Sequence, residues 1–264
     1  MYIDFPDISP AALTLGSFQI RWYALAYLLG ILSAWWLTKL NIKKYDLGIS
    51  SNQLDDLVFY TTLGIILGGR LGYVLCYGNG YFWQHPEEIF AVWHGGMSFH
   101  GGIIGVILGL YCFARKEKFP YLKITDIVAI YVPIGIFLGR IANFVNGELW
   151  GRVTTVPWAV KFPEGGYLPR HPSQIYEALS EGVLLLIILN LLWRKAYVRE
   201  HTGFISAVFL IFYASSRFVM EFFREPDQQI GFIFGHTTLG QLLSLPFLLL
   251  GLYILHRAVK SKKA

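Results

Sequence analysis

Charge is what this sequence has least of. Only 15% of its 264 residues are Asp, Glu, Lys or Arg, where a soluble domain usually spends about 25%. So little charge cannot cover a water-facing surface, and the apolar residues, 55% of the chain, lie in long runs. Cysteine is scarce too. Cys76 and Cys112 fall near opposite ends of two such runs, so no disulfide joins them on this reading. They read as free, packed thiols. A positive leader is missing as well: Asp4 and Asp7 stand near the start and Arg21-Trp22-Tyr23 leads straight into a long apolar run, so no cleavable signal peptide is expected. The seven histidines, at 85, 94, 100, 171, 201, 236 and 256, show no H-x-x-H or H-E-x-x-H spacing and have no cysteine partners, so no metal is expected. There is no G-x-S-x-G elbow. No strand precedes the glycines of Gly64–Gly72, which weakens a nucleotide-binding reading.

What is present is a series of runs of bilayer length. A bilayer core of roughly 30 Å takes about 20 mostly apolar residues per helix. Backbone polar groups in lipid must be satisfied within the segment, so the runs are expected to be helices. Hydropathy predicts seven spans, at 20–38, 57–78, 97–114, 126–146, 175–193, 203–221 and 237–256. The fold expected is an all-α integral membrane protein: a seven-helix transmembrane bundle, one domain over 1–264, with a small periplasmic cap at about 147–174 and an N-terminal interfacial arm.

The net charge of +5 and pI near 9.1 come from topology rather than from a nucleic-acid surface. Lys39, Lys43, Lys44, Arg115, Lys116, Lys118, Lys123, Arg194, Lys195, Arg199, Arg257, Lys260, Lys262 and Lys263 all follow odd-numbered spans. The opposite side carries Arg152, Lys161, Arg170 and Arg224. Lys and Arg concentrate in cytoplasmic loops, which puts the C-terminus inside and the N-terminus outside.

Glycines repeat every four residues in spans two, three and four: Gly64, Gly68 and Gly72; Gly101, Gly105 and Gly109; Gly135 and Gly139. Small-residue faces of this kind let helix backbones approach closely in lipid, so these spans are expected to pack together. The stretch 147–174 is rich in proline and glycine, has a β-prone piece at Val153–Val156, and is long enough to be a functional lid or cap.

Ionisable residues inside the spans carry the functional signal. An arginine at a helix centre costs about 2.5–3.5 kcal/mol on insertion scales. Arg140, Asn143 and Gly147 share one helix face, with Asn146 and Glu148 at its end. Tyr213, Arg217, Glu221 and Arg224 share another. Arg70 sits mid-span beside Gly68-Gly69, and His100 lies among glycines in span three. Each has a plainer alternative: Arg217 and Glu221 can neutralise each other along their helix, Glu148 can orient an arginine, and His100 can be a packing residue. With no acid three or four residues before or after Arg140, cations are taken to outnumber acids within the spans. That excess points to an anionic ligand, a phosphate or carboxylate. An enzyme and a transporter of an anionic lipid headgroup both fit this pattern.

The motifs narrow the choice. Trp93-His94-Gly95-Gly96-Met97-Ser98-Phe99-His100-Gly101-Gly102 resembles the G-G-M-S-F-H-G-G motif of prolipoprotein diacylglyceryl transferases. The run from Gly139-Arg140 through Asn143, Asn146-Gly147-Glu148 to Gly151-Arg152 resembles their G-R-x-x-N-F-x-N-G-E-x-x-G-R signature, with Ala142 where glycine is frequent. Arg170–Glu177, Arg217–Asp227, Arg21-Trp22-Tyr23 and Gly68–Tyr73 match further blocks, in order, along essentially the whole chain. The resemblance implies transfer of a diacylglyceryl group from phosphatidylglycerol to the lipobox cysteine of a preprolipoprotein, with no cofactor, in a bacterial inner membrane. It implies that His100 is the base, that Arg140 and Arg217 act on the leaving phosphate, and that Arg140 also grips the headgroup. Asn143, Asn146 and Gly147 would shape the headgroup pocket, and Glu148 and Glu221 would orient arginines. Tyr23, Arg70 and Tyr213 complete the substrate-binding set.

Overall fold

The computed structural model describes residues 2–16, 18–78, 80–226, 231–233 and 235–260. Met1 of the expected arm, Asp227 of the last motif, and Lys262 and Lys263 of the basic tail lie outside the described residues. The helices are α1 (Trp22–Tyr45), α2 (Ser51–Tyr77), α3 (Tyr81–Gln84), α4 (Phe99–Lys116), α5 (Tyr121–Ala129), α6 (Val132–Val145), α7 (Ser173–Glu177), α8 (Leu185–Trp193), α9 (Ala196–Glu200), α10 (Phe204–Met220) and α11 (Leu239–Lys260). A π-helical segment, Ala178–Leu184, joins α7 to α8, so that Ser173–Trp193 forms one rod.

Among the described residues, four helices are long and apolar enough to cross a membrane: α1, α2, the Ser173–Trp193 rod and α11. A fifth counts if α5 and α6 together make one span. The stretch expected as one span, 126–146, breaks at 130–131 with a bend of 45°. Pro133, in the first turn of α6, supplies the cause: its ring restricts Val132 and removes an N–H from the ladder. The two remaining expected spans, 97–114 and 203–221, correspond to α4 and α10, of 18 and 17 residues.

Within the length expected as one domain, two compact units are distinguishable, 35–125 and 1–34 with 126–264. In the first, α2 lies along α4 and their glycines meet backbone to backbone. A Cβ added to Gly72 would stand 2.7 Å from the Cα of Gly101, and one added to Gly68 would stand 2.7 Å from the Cα of Gly105. The expected pairing of spans two and three is therefore present, with backbone against backbone. Ser50 opens α2 with a capping box, accepting from Gln53 N (3.2 Å) while Gln53 Oε1 accepts from Ser50 N (2.9 Å). Ser98 opens α4 and accepts from Gly101 N at 3.2 Å. Cys76 and Cys112 are both free, but exposed rather than packed. Helices built for lipid turn apolar residues outward, and Leu75 and Tyr111 beside the two cysteines are exposed in the same way.

In the second unit the expected glycine face of span four meets a different neighbour. Gly135 faces Gly30 of α1, where an added Cβ would lie 3.2 Å from the Gly135 Cα, and an added Cβ at Gly139 meets nothing within 4 Å. Asp126 on α5 is buried and caps α10 from a distance. Gly203 N donates to it at 2.6 Å, and Ser206 N and Oγ both donate at 2.7 Å. Small β elements join the helices. β1 (Ile3–Asp4) pairs in parallel with β4 (Val160–Lys161), and β2 (Ala11–Leu15) forms a hairpin with β3 (Phe18–Arg21). β5 (Phe232–Ile233) pairs with β6 (Thr237–Thr238). The first residues are thus stitched to the 147–174 stretch. Phe5 packs against Phe144 and Phe162, with ring centroids 5.6 and 5.4 Å away. The β-prone piece at 153–156 contributes a single bridge, Val153 to Arg170.

Candidate active site

Ionic chemistry gathers in the second unit, where α6, α7, the π segment and α10 bring arginines and glutamates together. Glu177, at the end of α7, is fully buried. Its Oε2 lies 2.9 Å from Arg140 Nε, its Oε1 accepts from Arg217 Nη1 at 2.9 Å, and Arg224 Nη1 stands 3.8 Å from the same oxygen. Glu181, in the π segment and equally buried, lies 3.7 Å from Arg140 Nη2. Arg217 also pairs with Glu221 one turn along α10, as the plainer reading of that pair expects. The expected excess of cations is therefore corrected: Arg140, Arg217 and Arg224 meet Glu177, Glu181 and Glu221. Glu177 and Glu181 went uncounted. The signal was there, two acids four residues apart at the start of an apolar span.

The cluster is balanced in charge but uneven in exposure. The side chains of Arg140 and Arg217 keep 15% and 17% of their surface, whereas those of Glu177 and Glu181 keep none. The carboxylates are sealed from solvent, whereas the two arginine side chains are not. The hydrogen bonding is incomplete as well. Among the described residues, Glu177 Oε2 and both Glu181 oxygens have no aligned donor, despite the nearby cations. Arg140 approaches Glu177 as a charge without directing an N–H along the contact.

A second set of polar groups flanks Arg140 at the end of α6. Asn143 is buried and donates from Nδ2 to Tyr23 Oη (2.5 Å) and to Glu148 Oε1 (2.9 Å). Asn146 Nδ2 donates to the same Glu148 oxygen at 3.3 Å. The expectation that Glu148 orients an arginine is met differently: its carboxylate gathers the two asparagine amides, while the acids on Arg140 and Arg217 are Glu177, Glu181 and Glu221. Gly147 has φ +67° and turns the chain out of α6, a backbone conformation open to glycine. Gln174 Nε2 donates to Glu148 O at 2.6 Å and Ser173 Oγ to Leu149 O at 3.1 Å, so the start of α7 holds this turn in place. Tyr213, stacked on Phe209 with centroids 5.8 Å apart, lies in the electrostatic reach of Arg140 and Arg217.

Two other motif arginines brace the backbone, and Arg170 also pairs with Glu225 at 3.0 Å. Arg152 donates to Arg224 O (3.0 Å) and Glu221 O (3.2 Å), and Arg170 donates to Gly165 O (2.6 Å) and Gly151 O (3.2 Å). Close by, His171 packs on Phe223 and shares a hydrogen bond with Tyr176 Oη at 3.1 Å, and partial burial lowers its pKa.

The remaining predicted site residues, His100 and Arg70, belong to the first unit. His100 occupies the first turn of α4 and is exposed. Arg70 is buried and donates four hydrogen bonds to carbonyls: Nε to Ile89 (2.8 Å), Nη1 to Gly95 and Gly96 (2.5 and 3.2 Å) and Nη2 to Glu88 (2.6 Å). It ties down the segment that leads to His100.

Several apolar helices of membrane length, together with an arginine–carboxylate cluster, define a class, the multi-pass membrane protein with a polar site. The particular family follows from comparison with known proteins. The family model for prolipoprotein diacylglyceryl transferase matches residues 10–257. A phosphatidylglycerol–prolipoprotein diacylglyceryl transferase of Rhodospirillum rubrum is 49% identical over 98% of this chain and 96% of its own length. Proteins of the same name from Pasteurella multocida (49%, over 98% of this chain and 96% of their own) and Nitratidesulfovibrio vulgaris (46%, over 96% and 95%) are similarly related. The chain belongs to the prolipoprotein diacylglyceryl transferase family.

Proposed function

We propose that this chain transfers the diacylglyceryl group of phosphatidylglycerol to the thiol of a lipobox cysteine in a preprolipoprotein, the first step of lipoprotein maturation. The observation that carries the reading is the charged cluster itself, in which two partly accessible arginine side chains share one fully buried carboxylate. An approaching phosphodiester meets the cations, while the acids keep the arginines tolerable in an apolar protein.

In the reaction, sulfur forms a bond to the glyceryl carbon that carries the phosphate. The bond from that carbon to oxygen breaks, its electron pair stays on the oxygen, and glycerol phosphate leaves. The thiol, with an ordinary pKa near 8.5, must give up its proton to a base, and His100 takes that role. Charge grows on the phosphate as the bond breaks, so donors aimed at it act mainly in the transition state. Arg140 and Arg217 supply them. Tyr23, Asn143, Asn146, Glu148 and Tyr213 shape the headgroup site, and Glu221 orients Arg217. Arg70 serves by fixing the 86–98 segment rather than by touching phosphate.

The topology proposed with it is seven spans in a bacterial inner membrane, with the N-terminus and the 147–174 cap periplasmic, the C-terminus cytoplasmic, and the substrates met in the bilayer. Single cysteines placed in the cap should label from outside in intact cells and one near Lys260 should not; the reverse pattern would overturn this arrangement. The function is tested with purified protein, labelled phosphatidylglycerol and a lipobox peptide, read as a mass gain on cysteine with release of glycerol phosphate. Lipid that crosses the membrane chemically unchanged, with no mass gain, would favour the transporter reading. His100→Gln should lower transfer about 10²–10⁴-fold in folded protein; unchanged transfer would remove His100 as base.

A further inference from the structure

We infer that Glu177 is a positioning residue of the transfer reaction, its one carboxylate setting the spacing of the Arg140 and Arg217 guanidiniums so that both address a single phosphate. The inference rests on the transferase reading above.

Charge balance alone needs an acid near each arginine, and other acids are at hand. Arg217 already has Glu221 on its own helix, and Glu181 lies 3.7 Å from Arg140. Glu177 does something those two do not. It takes Arg140 of α6 on one oxygen and Arg217 of α10 on the other, each at 2.9 Å. Two guanidiniums from different helices are thereby spaced by the two oxygens of one planar group. A phosphate presents pairs of oxygens on a similar scale, and the guanidinium fork is suited to meeting them.

The contacts also leave Arg140 with N–H directions not used on Glu177. Arg217 makes an aligned hydrogen bond to Glu177 Oε1, whereas among the described residues Oε2 has no aligned donor although Arg140 Nε is 2.9 Å away. Arg140 is therefore located by Glu177 without committing its N–H directions to it. The local backbone adds a second, independent sign. Glu177 is followed directly by the π-helical turn Ala178–Leu184, and π segments appear mostly as single interruptions of α-helices, frequently at functional sites. The turn is held from outside the cluster as well: Gly182 lies against Phe137 of α6, where an added Cβ would come 2.7 Å from the Phe137 Cβ. The helix that carries Glu177 is thus packed closely against the helix that carries Arg140.

The test compares wild type, Glu177→Asp and Glu177→Gln as purified protein with phosphatidylglycerol and a lipobox peptide. It measures kcat, KM for the lipid, and the folded fraction by thermal unfolding. Asp keeps the charge but withdraws it by one methylene. A displacement of about 1 Å at a reacting centre can cost roughly 10²-fold. The expected result is therefore folded Glu177→Asp protein with kcat lowered about 10²-fold, KM for phosphatidylglycerol changed much less, and Glu177→Gln at least as impaired in its folded fraction. A charge-balancing acid predicts the opposite: Asp working normally, with any damage confined to stability. Glu177→Asp with kcat per folded molecule within about threefold of wild type, or loss of folded protein in both variants, would overturn the proposal. Absence of transfer by wild type would instead overturn the reaction itself, so the two failures are told apart by the first measurement.

Discussion

Arginine is buried in both compact units of this protein, but it is satisfied in two different ways. Arg70, in unit 35–125, gives its N–H groups to the carbonyls of Glu88, Ile89, Gly95 and Gly96. Arg140 and Arg217, in the other unit, lie against carboxylates through contacts that are partly unaligned and keep some accessible surface. Carbonyls cannot leave, so the first arrangement is a fixture of the fold. Carboxylates balance charge while leaving N–H directions for something else, so the second can accept a ligand. The same residue type is bound to backbone carbonyls in one place and set against carboxylates in the other, and the proposed function assigns ligand contact to the second.

The comparison breaks most sharply at Arg140. Lys keeps the charge but not the planar fork, so Arg140→Lys should remain folded and lose about 10²–10³ in turnover at saturating phosphatidylglycerol. Near-normal turnover would make Arg140 another fixture like Arg70. Arg70→Gln should do the converse. With several carbonyls losing their donor, it should cost about 3 kcal/mol of stability, seen as a lower Tm and faster proteolysis within 86–98. A variant as stable as wild type would show that the carbonyls find other partners.

A smaller effect is expected where the first unit depends on bare backbone. Gly105→Ala places a Cβ 2.7 Å from the carbonyl carbon of Gly64, and overpacking of this kind typically costs about 1–3 kcal/mol. An unchanged Tm would mean that α2 and α4 can separate freely. The smallest effect belongs to His171 in the 147–174 stretch. Its pKa is lowered from 6.5 by partial burial, so the folded chain holds fewer protons on it than the unfolded chain does. Its contribution is whole above the unfolded value and is lost as pH falls through the folded one. Thermal unfolding followed from about pH 7.5 to 5.5 should fall slightly less steeply for His171→Gln than for wild type; identical slopes would leave His171 out of the acid response.

Much of this was legible in the sequence. Hydropathy located the long helices, and the four-residue glycine repeats named the faces of α2 and α4 that touch. The arginine motif led to Arg140, Asn143 and Glu148, which do lie together. What escaped notice has physical reasons. Carbonyl acceptors are the same for every residue, so nothing in the string announced that Arg70 would be absorbed by 88–96. Glu177 and Glu181 sit at the head of a hydrophobic run, where acids pass easily for a loop edge. Only the packing of the Ser173–Trp193 rod against α6 shows that they lie beside Arg140. The strands of the first residues were hidden because β1 finds its partner far away in sequence, at Val160.

The glycine contact between α2 and α4 has a consequence for how His100 is held. Along this seam Gly72 meets Gly101, and Gly68 and Gly64 meet Gly105, with Cα and carbonyl atoms in contact and no side chain between them. Such a seam behaves as a toothed track rather than a greased one. Sliding α4 along α2 would have to carry it a full four-residue step, about 6 Å, before glycine again faced glycine. Every intermediate position sets a bulkier residue against a carbonyl. His100, one residue before the first of these glycines on α4, is therefore indexed to discrete stations. Small thermal motions of the helix pair rock the imidazole but do not let it drift along the seam.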